Sequence, residues 1–147
     1  MLKTEIYNAV NRPTMMEKKK VVNFLFEHLD EYGDPKEDIK KAIEYATKER
    51  SSFGGFTMLL KENNTIKGAV VINQTGMDGY IPENILVYIA IHKDARGKGL
   101  GKILLKECFK HTKGDIALHV EPDNPAKFLY EKLGFTNKYL EMRLKIK

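Results

Sequence analysis

The spacing of apolar residues changes between residues 50 and 56 and divides the chain into a helical part and a strand-rich part. Between residues 14 and 50, apolar side chains recur every three or four positions, which is the period of an amphipathic helix. A short stretch before them, TEIYNAV at 4–10, predicts an opening strand. The later part alternates short apolar runs with two stretches of helical spacing. The predicted order is β-α-α-β-β-β-α-β-α-β, a mixed α/β sheet with helices packed on it.

Local end signals divide the helical part into two helices. Thr14 is followed three residues later by Glu17, which is a capping-box pattern and predicts a helix from Thr14 to about residue 30. Asp34 and Pro35 then predict the start of a second helix, with Asp34 as its N-cap and Pro35 in its first turn.

Four apolar runs bounded by turn residues predict the central strands. They are Phe56–Leu60, Ile66–Ile72, Ile85–Ile91 and Ile116–Val120. The third is almost wholly apolar, as expected for a strand that is covered on both faces. Helices are predicted from Leu100 to near Gly114 and from Asn124 to Gly134, and Phe135–Ile146 is predicted as final β structure.

Length and composition favour one ordinary globular unit. The chain has 147 residues, of which 42% are hydrophobic and 31% are charged, so we expect a single domain over residues 1–147. No apolar run is long enough to span a membrane, and the N-terminus lacks an apolar signal core. We therefore expect a cytoplasmic protein without membrane attachment. The single cysteine, Cys108, excludes an internal disulfide.

The charge balance is mildly basic. Lys and Arg total 25 against 20 Asp and Glu, a net charge of +5. This excess favours anionic ligands but does not indicate nucleic acid, because the only dense basic run, Lys18–Lys20, lies inside a helical pattern. We interpret that run as a solvated helix face and expect no nucleic-acid partner.

The most informative stretch is RGKGLGK at 96–102, between the buried strand and the next helix. Glycine lets the backbone approach a ligand closely, and a helix N-terminus offers unpaired N–H groups with a favourable dipole for an anion. Four side-chain cations surround the loop: Lys93, Arg96, Lys98 and Lys102. The alternative is a tight glycine turn without a ligand.

Two common phosphate loops do not match this stretch. In a Walker A loop, Arg96 would occupy the first glycine position, and Ile103 replaces the Ser or Thr that holds magnesium. In a dinucleotide loop, the third glycine position is Lys102.

The loop sequence RGKGLG at 96–101 resembles the R/Q-x-x-G-x-G/A signature of the GNAT family of N-acetyltransferases. NPAKFLYEKLGF at 124–135 is similar to the second signature of the family, and the resemblance covers about residues 84–136. One departure is Lys93, where many members have proline. The resemblance implies a GNAT-like acyl-CoA N-acyltransferase fold: a mostly antiparallel sheet, splayed fourth and fifth strands, and about four helices.

The resemblance also implies a site for acetyl-CoA as cosubstrate. We expect no metal, because His28, His92 and His111 have no partners at ligand spacing. Main-chain N–H groups of the loop would hold the pyrophosphate, and those residues are Arg96, Gly97, Lys98, Gly99, Leu100, Gly101 and Lys102. Main-chain groups of Ile89 and Ile91 would pair with the pantetheine arm. Asn124 could contact the same arm, or it could simply cap the helix that follows.

Catalytic candidates also follow from the resemblance. Tyr130 corresponds to the family's general acid, and a phenol can donate a proton or hydrogen bond to a thiolate leaving group. A core tyrosine is the alternative. Glu83 is a candidate base acting through water, or else an exposed carboxylate at a strand edge, and His119 is another candidate. Cys108 lies on an apolar helix stripe, which favours direct transfer over an acyl-cysteine intermediate.

We therefore expect an enzyme that transfers acetyl from acetyl-CoA to a primary amine of a small molecule or peptide in a ternary complex. The alternative is a non-catalytic coenzyme A sensor or protein-interaction module on the same fold. Helices in residues 14–50 and the loop at 74–83 would bind the acceptor, which no motif identifies. The final strand could pair with a second copy to form a homodimer.

Overall fold

The computed structural model describes residues 1–146. Five strands form one sheet in the order β1-β2-β3-β4-β5, antiparallel except for the parallel β4–β5 pair. The strands are β1 (Leu2–Tyr7), β2 (Gly55–Glu62), β3 (Thr65–Gln74), β4 (Asn84–Ile91) and β5 (Ile116–Leu118). The helices are α1 (Met15–His28), α2 (Lys36–Ala46), α3 (Leu100–Lys110) and α4 (Ala126–Lys132), with 3₁₀ turns at Asp30–Tyr32 and Lys93–Ala95.

Helices cover both faces of the sheet. On one face α1 and α2 bury Leu25, Ile39 and Ile43 against β2 and β3. On the other face α3 and α4 contribute Leu104 and Tyr130 to a second apolar cluster. The predicted α/β class is confirmed, and the near-continuous apolar pattern of β4 follows from its burial on both sides.

Two irregularities in β4 shape the sheet. The β3–β4 register passes from Val71↔Tyr88 to Ile72↔Leu86, so Val87 has no partner and forms a β-bulge. On its other edge, β4 pairs with β5 only over 84–86, and the last pair is Leu86↔Leu118. Beyond that pair the fourth and fifth strands are splayed, as expected, and the edge of β4 from Val87 to Ile91 has no neighbouring strand.

Local sequence determines the backbone at the start of α1 and at the turn between β2 and β3. Thr14 and Glu17 form the predicted reciprocal capping box at the start of α1. Asn63 and Asn64 both have positive φ, 52° and 65°, and form the two-residue turn between β2 and β3.

The predicted N-cap of α2 is wrong. Pro35 occupies the N-cap position, and no side chain caps this helix. The carboxylate of Asp34 instead accepts a hydrogen bond from the buried Tyr88 hydroxyl at 2.5 Å. Asp34 therefore contacts Tyr88 on the sheet and does not provide the cap of α2 that its spacing predicts.

The final β structure predicted over Phe135–Ile146 is also wrong. Phe135 packs against Tyr130, and the residues from 136 to 146 form no strand. Leu140, Met142 and Leu144 are more than 80% exposed. Their alternation is compatible with a strand, but a strand also needs an edge to pair with and a surface to cover. A homodimer formed through this segment stays a prediction.

Two strand ends also differ from the prediction. β1 begins at Leu2 and ends at Tyr7, because the Asn8 side chain accepts hydrogen bonds from the N–H groups of Val10 and Asn11 and turns the chain. β5 ends at Leu118, where the splay begins. Within residues 1–146, no helix has the length and apolar character needed to cross a membrane.

Candidate functional site

The loop between β4 and α3 has the geometry of an anion cradle. Gly97 and Gly99 have φ of 78° and 77°, the left-handed region that favours glycine. Gly99 is the N-cap of α3, and no side chain bonds to the first N–H groups of this helix. A Cβ atom at either glycine would meet nothing within 4 Å, so this backbone faces open space. Free N–H groups and the helix dipole therefore point to an anion here.

A cavity of about 240 Å³ lies against this loop. Its lining comes from the end of β4, the loop, the first turn of α3 and Leu129 of α4: Ile91, Ala95, Arg96, Gly97, Gly99, Leu100, Gly101, Lys102 and Leu129. A Cβ atom at Gly101 would stand 2.9 Å from Leu129 Cδ2. Glycine at 101 therefore permits the close approach of α3 and α4 that forms one wall.

The four predicted cations divide into two pairs. Lys93 and Arg96 both contact the carboxylate of Asp30, at 3.2 and 3.1 Å. Lys98 and Lys102 are exposed, and among residues 1–146 neither has a carboxylate within 4.0 Å. These two lysines are the side-chain cations left to attract an anion.

The predicted pantetheine residues lie on the open edge of β4. Ile89 and Ile91 pair with β3 on one side and have no strand on the other. The carbonyl oxygen of Ile91 accepts a hydrogen bond from Arg96 Nε at 3.2 Å. The other backbone groups on this edge are placed where an added strand or an extended ligand could pair with them.

Tyr130 belongs to the same apolar cluster as Leu86 and Leu118, the last paired residues before the splay. It is 7% exposed, and burial raises the pKa of Tyr130 to about 12. Its ring packs edge-on against Phe135 at 5.8 Å, and its hydroxyl bonds to no other residue in the described part of the chain. The side chain thus packs as a core residue while its hydroxyl keeps an unused donor.

Glu83 lies on the other side of the paired segment 84–86, at the start of β4. Its carboxylate accepts a hydrogen bond from the Asp115 N–H at 2.9 Å, and this bond lowers the pKa of Glu83. With Asn84, His111 and Lys113 it lines a second cavity of about 520 Å³. The structure therefore separates Glu83 from Tyr130 by the β4–β5 ladder, and a base role for Glu83 stays a prediction.

The two other polar candidates have local positions. Asn124 Oδ1 accepts a hydrogen bond from the Ala126 N–H at 2.9 Å at the start of α4, which is the capping alternative. Its contact with a pantetheine arm stays a prediction. His119 is exposed just after β5. Cys108 is fully buried, and burial raises the pKa of its thiol to about 11, as expected for a core residue.

Sequence reasoning missed a cluster at the end of α1. The rings of His28 and His92 lie 4.2 Å apart, and His28 Nδ1 accepts a hydrogen bond from the Lys93 N–H at 3.2 Å. Asp30 lies beside them and contacts Arg96. These residues come from distant parts of the chain, so no local spacing could have joined them. In residues 1–146, no group of three or more His, Cys, Asp and Glu side chains could hold a metal ion.

Comparison with known families agrees with this geometry. The acetyltransferase (GNAT) family matches residues 20–135, which is most of the chain. The protein belongs to the GNAT acetyltransferase family. An acetyltransferase of this family uses acetyl-CoA. A helix N-terminus such as that of α3 is chemically suited to a phosphate group. Family membership favours an enzyme over the sensor or interaction module.

Solved structures share the fold of this acetyltransferase at low sequence identity. A ribosomal-protein-alanine N-acetyltransferase from Brucella melitensis is 14% identical, with a TM-score of 0.64 over 99% of this chain and 100% of that one. A GNAT family acetyltransferase from Staphylococcus aureus is 19% identical, with a TM-score of 0.63 over 99% and 98%. An aminoglycoside N-acetyltransferase in complex with CoA is 13% identical, with a TM-score of 0.69 over 100% and 97%. No curated protein sequence matches this chain.

Gly99→Val tests the cradle. Valine is strained at a φ of 77°, and its side chain would stand in the open space before the N–H groups of α3. We expect coenzyme A affinity, measured by calorimetric titration, to fall more than tenfold, on the order of 2 kcal/mol.

Gly79→Val is the matched control. Gly79 has a φ of 75° and also has nothing within 4 Å of a Cβ atom, but it lies in the loop between β3 and β4. This variant carries the same backbone strain away from the cradle and should bind coenzyme A like the parent. A folded Gly99→Val protein with parental affinity would place the anion elsewhere.

Protonation of His28 should destabilise the protein. Burial is the main cause that lowers the pKa of His28 below its ordinary 6.5, with the nearby charges of His92, Arg96 and Lys93 adding to it and Glu27 opposing it. Since the unfolded chain then binds this proton at higher pH than the folded one, stability is full above about 6.5 and falls as the pH drops below it.

Urea unfolding at pH 7.5 and 5.5 measures this effect. His28→Asn keeps an oxygen acceptor for the Lys93 N–H but does not titrate, so its stability should fall less between the two pH values. An equal fall in both proteins would assign the pH dependence to other groups.

Proposed function

We propose that the protein transfers the acetyl group of acetyl-CoA directly to a primary amine in a ternary complex. The observation that carries this proposal is the junction of two features. The N-terminus of α3 offers free N–H groups to an anion, and the open edge of β4 leads from there to the splay at Leu86 and Leu118. A ligand with a pyrophosphate at one end and an extended amide arm fits this path.

The residues of the cradle would hold the two phosphates. Backbone N–H groups from Arg96 to Lys102 supply directional donors, while Lys98 and Lys102 supply charge. The edge of β4 from Val87 to Ile91 would bind the arm as an added strand binds, through its backbone groups. The reacting thioester then comes to the splay, beside Tyr130.

At the thioester, the amine nitrogen forms a bond to the carbonyl carbon and the carbon–sulfur bond breaks, leaving a thiolate. The nitrogen gives up a proton, which Glu83, the proposed base, would take through water. Tyr130 is the proposed donor to that sulfur. Its pKa of about 12 keeps the phenol protonated at neutral pH. Complete proton transfer to a thiolate whose conjugate acid has a pKa of about 8.5 is uphill by roughly 5 kcal/mol. The hydroxyl therefore acts mainly as a hydrogen-bond donor to the developing charge.

The acceptor is proposed only as a primary amine. Two structural neighbours carry names that specify an aminoglycoside and a ribosomal-protein alanine, both of which present primary amines. A thiol-release assay with acetyl-CoA and a panel of polyamines, aminoglycosides, amino acids and peptides would identify the class. No thiol release with any amine, in a protein that binds coenzyme A, would favour the sensor.

Tyr130→Phe tests the donor. The ring and its packing against Phe135 are kept, and the hydroxyl has no protein partner to lose, so the melting temperature should change little. Positioned proton donation contributes typically about 10²–10⁴-fold, so turnover should fall at least about tenfold.

Coenzyme A affinity in this variant should stay near the parental value, because the proposed contacts are backbone groups. Tyr139→Phe removes a hydroxyl from a side chain that is 80% exposed and serves as the control. Full turnover in Tyr130→Phe would remove this residue from the mechanism.

Glu83→Gln tests the proposed base. Glutamine keeps an oxygen acceptor for the Asp115 N–H, so the start of β4 should stay in place. If the carboxylate takes the amine proton through water, kcat/KM should fall at least about tenfold and lose its dependence on a carboxylate pKa at low pH. An unchanged pH profile would leave Glu83 with its contact to Asp115 alone.

A further inference from the structure

The end of α1 and the turn after it contact Lys93 and Arg96, at the start of the proposed coenzyme loop. The carbonyl oxygen of His28 accepts a hydrogen bond from Arg96 Nη2 at 2.7 Å. The His28 ring accepts one from the Lys93 N–H at 3.2 Å. The carboxylate of Asp30, just beyond the helix, contacts both Arg96 and Lys93. These contacts therefore fix Lys93 and Arg96, which lead into the loop.

The Arg96 guanidinium is the centre of these contacts. Nε donates to the Ile91 carbonyl at the end of β4, Nη2 donates to the His28 carbonyl, and Nη1 donates to Asp30 Oδ2 at 3.1 Å. Each of its three nitrogens therefore has a protein acceptor. The planar fork joins a strand end, a helix end and a turn, and it directly precedes Gly97.

Asp30 adopts an unusual backbone conformation to reach this position. Its φ is 56°, a region that residues other than glycine occupy at a cost, although Asp and Asn tolerate it best. This turn puts Asp30 Oδ1 at 3.2 Å from Lys93 Nζ and leaves Oδ2 for Arg96. One carboxylate thus bridges Lys93, the first residue of the turn Lys93–Ala95, and Arg96, the residue after it.

The sign of this charge is unexpected at a site for a polyanion. A carboxylate beside the cradle repels phosphate, so electrostatics alone would favour a neutral residue at position 30. Removing the charge of Asp30 should therefore weaken coenzyme A binding if the residue positions the loop, and strengthen it if only the charge matters.

We propose that Asp30 is a positioning residue for coenzyme binding, which holds Arg96 and through it keeps the N–H groups of the cradle directed at the pyrophosphate. This inference rests on the proposed coenzyme site. It assigns Arg96 the role of an internal brace between β4 and α1, and leaves the direct side-chain attraction of phosphate to Lys98 and Lys102.

Asp30→Asn separates the two effects. Asparagine tolerates the same φ and has nearly the same shape, but it removes the charge that holds the guanidinium. If positioning dominates, the Kd for coenzyme A, measured by calorimetry, should rise about tenfold, since a charge-assisted hydrogen bond that orders the loop is lost. If Asp30 is only a nearby negative charge, the Kd should fall, and that result would overturn the proposal.

Glu31→Gln is the matched control. It removes the same charge from the neighbouring residue, which is exposed and has no cation within 4.0 Å in the described part of the chain. Its Kd should stay at or slightly below the parental value. A rise equal to that of Asp30→Asn would mean that the weaker binding does not come from the contact with Arg96, and would overturn the proposal.

Arg96→Lys provides the second arm. Lysine keeps the charge, but its single nitrogen cannot reach the three acceptors that the separate nitrogens of the guanidinium contact. Its Kd should therefore also rise, by about tenfold. In this proposal Asp30 and Arg96 act through one contact. A double variant with both Asp30→Asn and Arg96→Lys should therefore bind coenzyme A only slightly more weakly than Arg96→Lys alone. Additive losses would show that Asp30 does not act through Arg96.

The kinetic signature distinguishes positioning from general damage. In Asp30→Asn, the KM for acetyl-CoA should rise while kcat at saturating acetyl-CoA stays within about twofold, because the reacting end is held elsewhere. A lower melting temperature with an unchanged Kd would make Asp30 a purely structural residue. Failure of the parent protein to bind coenzyme A would instead reject the proposed site itself.

Discussion

The early end of the β4–β5 ladder is the constraint on which the site depends. Pairing stops at Leu86↔Leu118, after three residue pairs, while β4 continues to Ile91. Five residues of backbone therefore reach the glycine loop with one edge unpaired. An open strand edge presents backbone N–H and C=O groups, so it is suited to a ligand that adds to the sheet as an extra strand would. The bulge at Val87 lies where the splay begins, and bulges are typical of such points beside active sites.

The backbone of α3 and the side chain of Arg96 have different roles at the cradle. The backbone of α3 supplies the positive potential, and the first cation of the motif, Arg96, is bonded on all three nitrogens to the protein. An arginine in a phosphate-binding signature is easily interpreted as a phosphate ligand. Here its geometry fits the fixing of a loop whose own N–H groups are the donors, a role in which lysine could not replace it.

The parts of the fold that local sequence determines were predictable, and the parts that depend on distant contacts were not. The capping box at Thr14, the Asn63–Asn64 turn and the glycines before α3 each carry their conformation within a few residues. Asp34 could not be assigned from its spacing, because its partner Tyr88 lies on β4. The alternating pattern after Phe135 predicted a strand, but a pattern does not supply the edge that a strand needs. The contacts of Arg96 with His28 and Asp30 could not be predicted either, because they join residues that are distant in sequence.

Tyr130 illustrates how packing and chemistry share one side chain. The apolar cluster that fixes its ring also raises the pKa of its phenol to about 12, which weakens it as an acid while keeping it protonated. In a dry environment, a neutral donor stabilises a developing negative charge more than it would in water. If Tyr130 donates to the thiolate as we propose, the burial that packs it as a core residue would also strengthen that donation. From sequence alone the two interpretations compete, whereas the buried position in the structure is compatible with both.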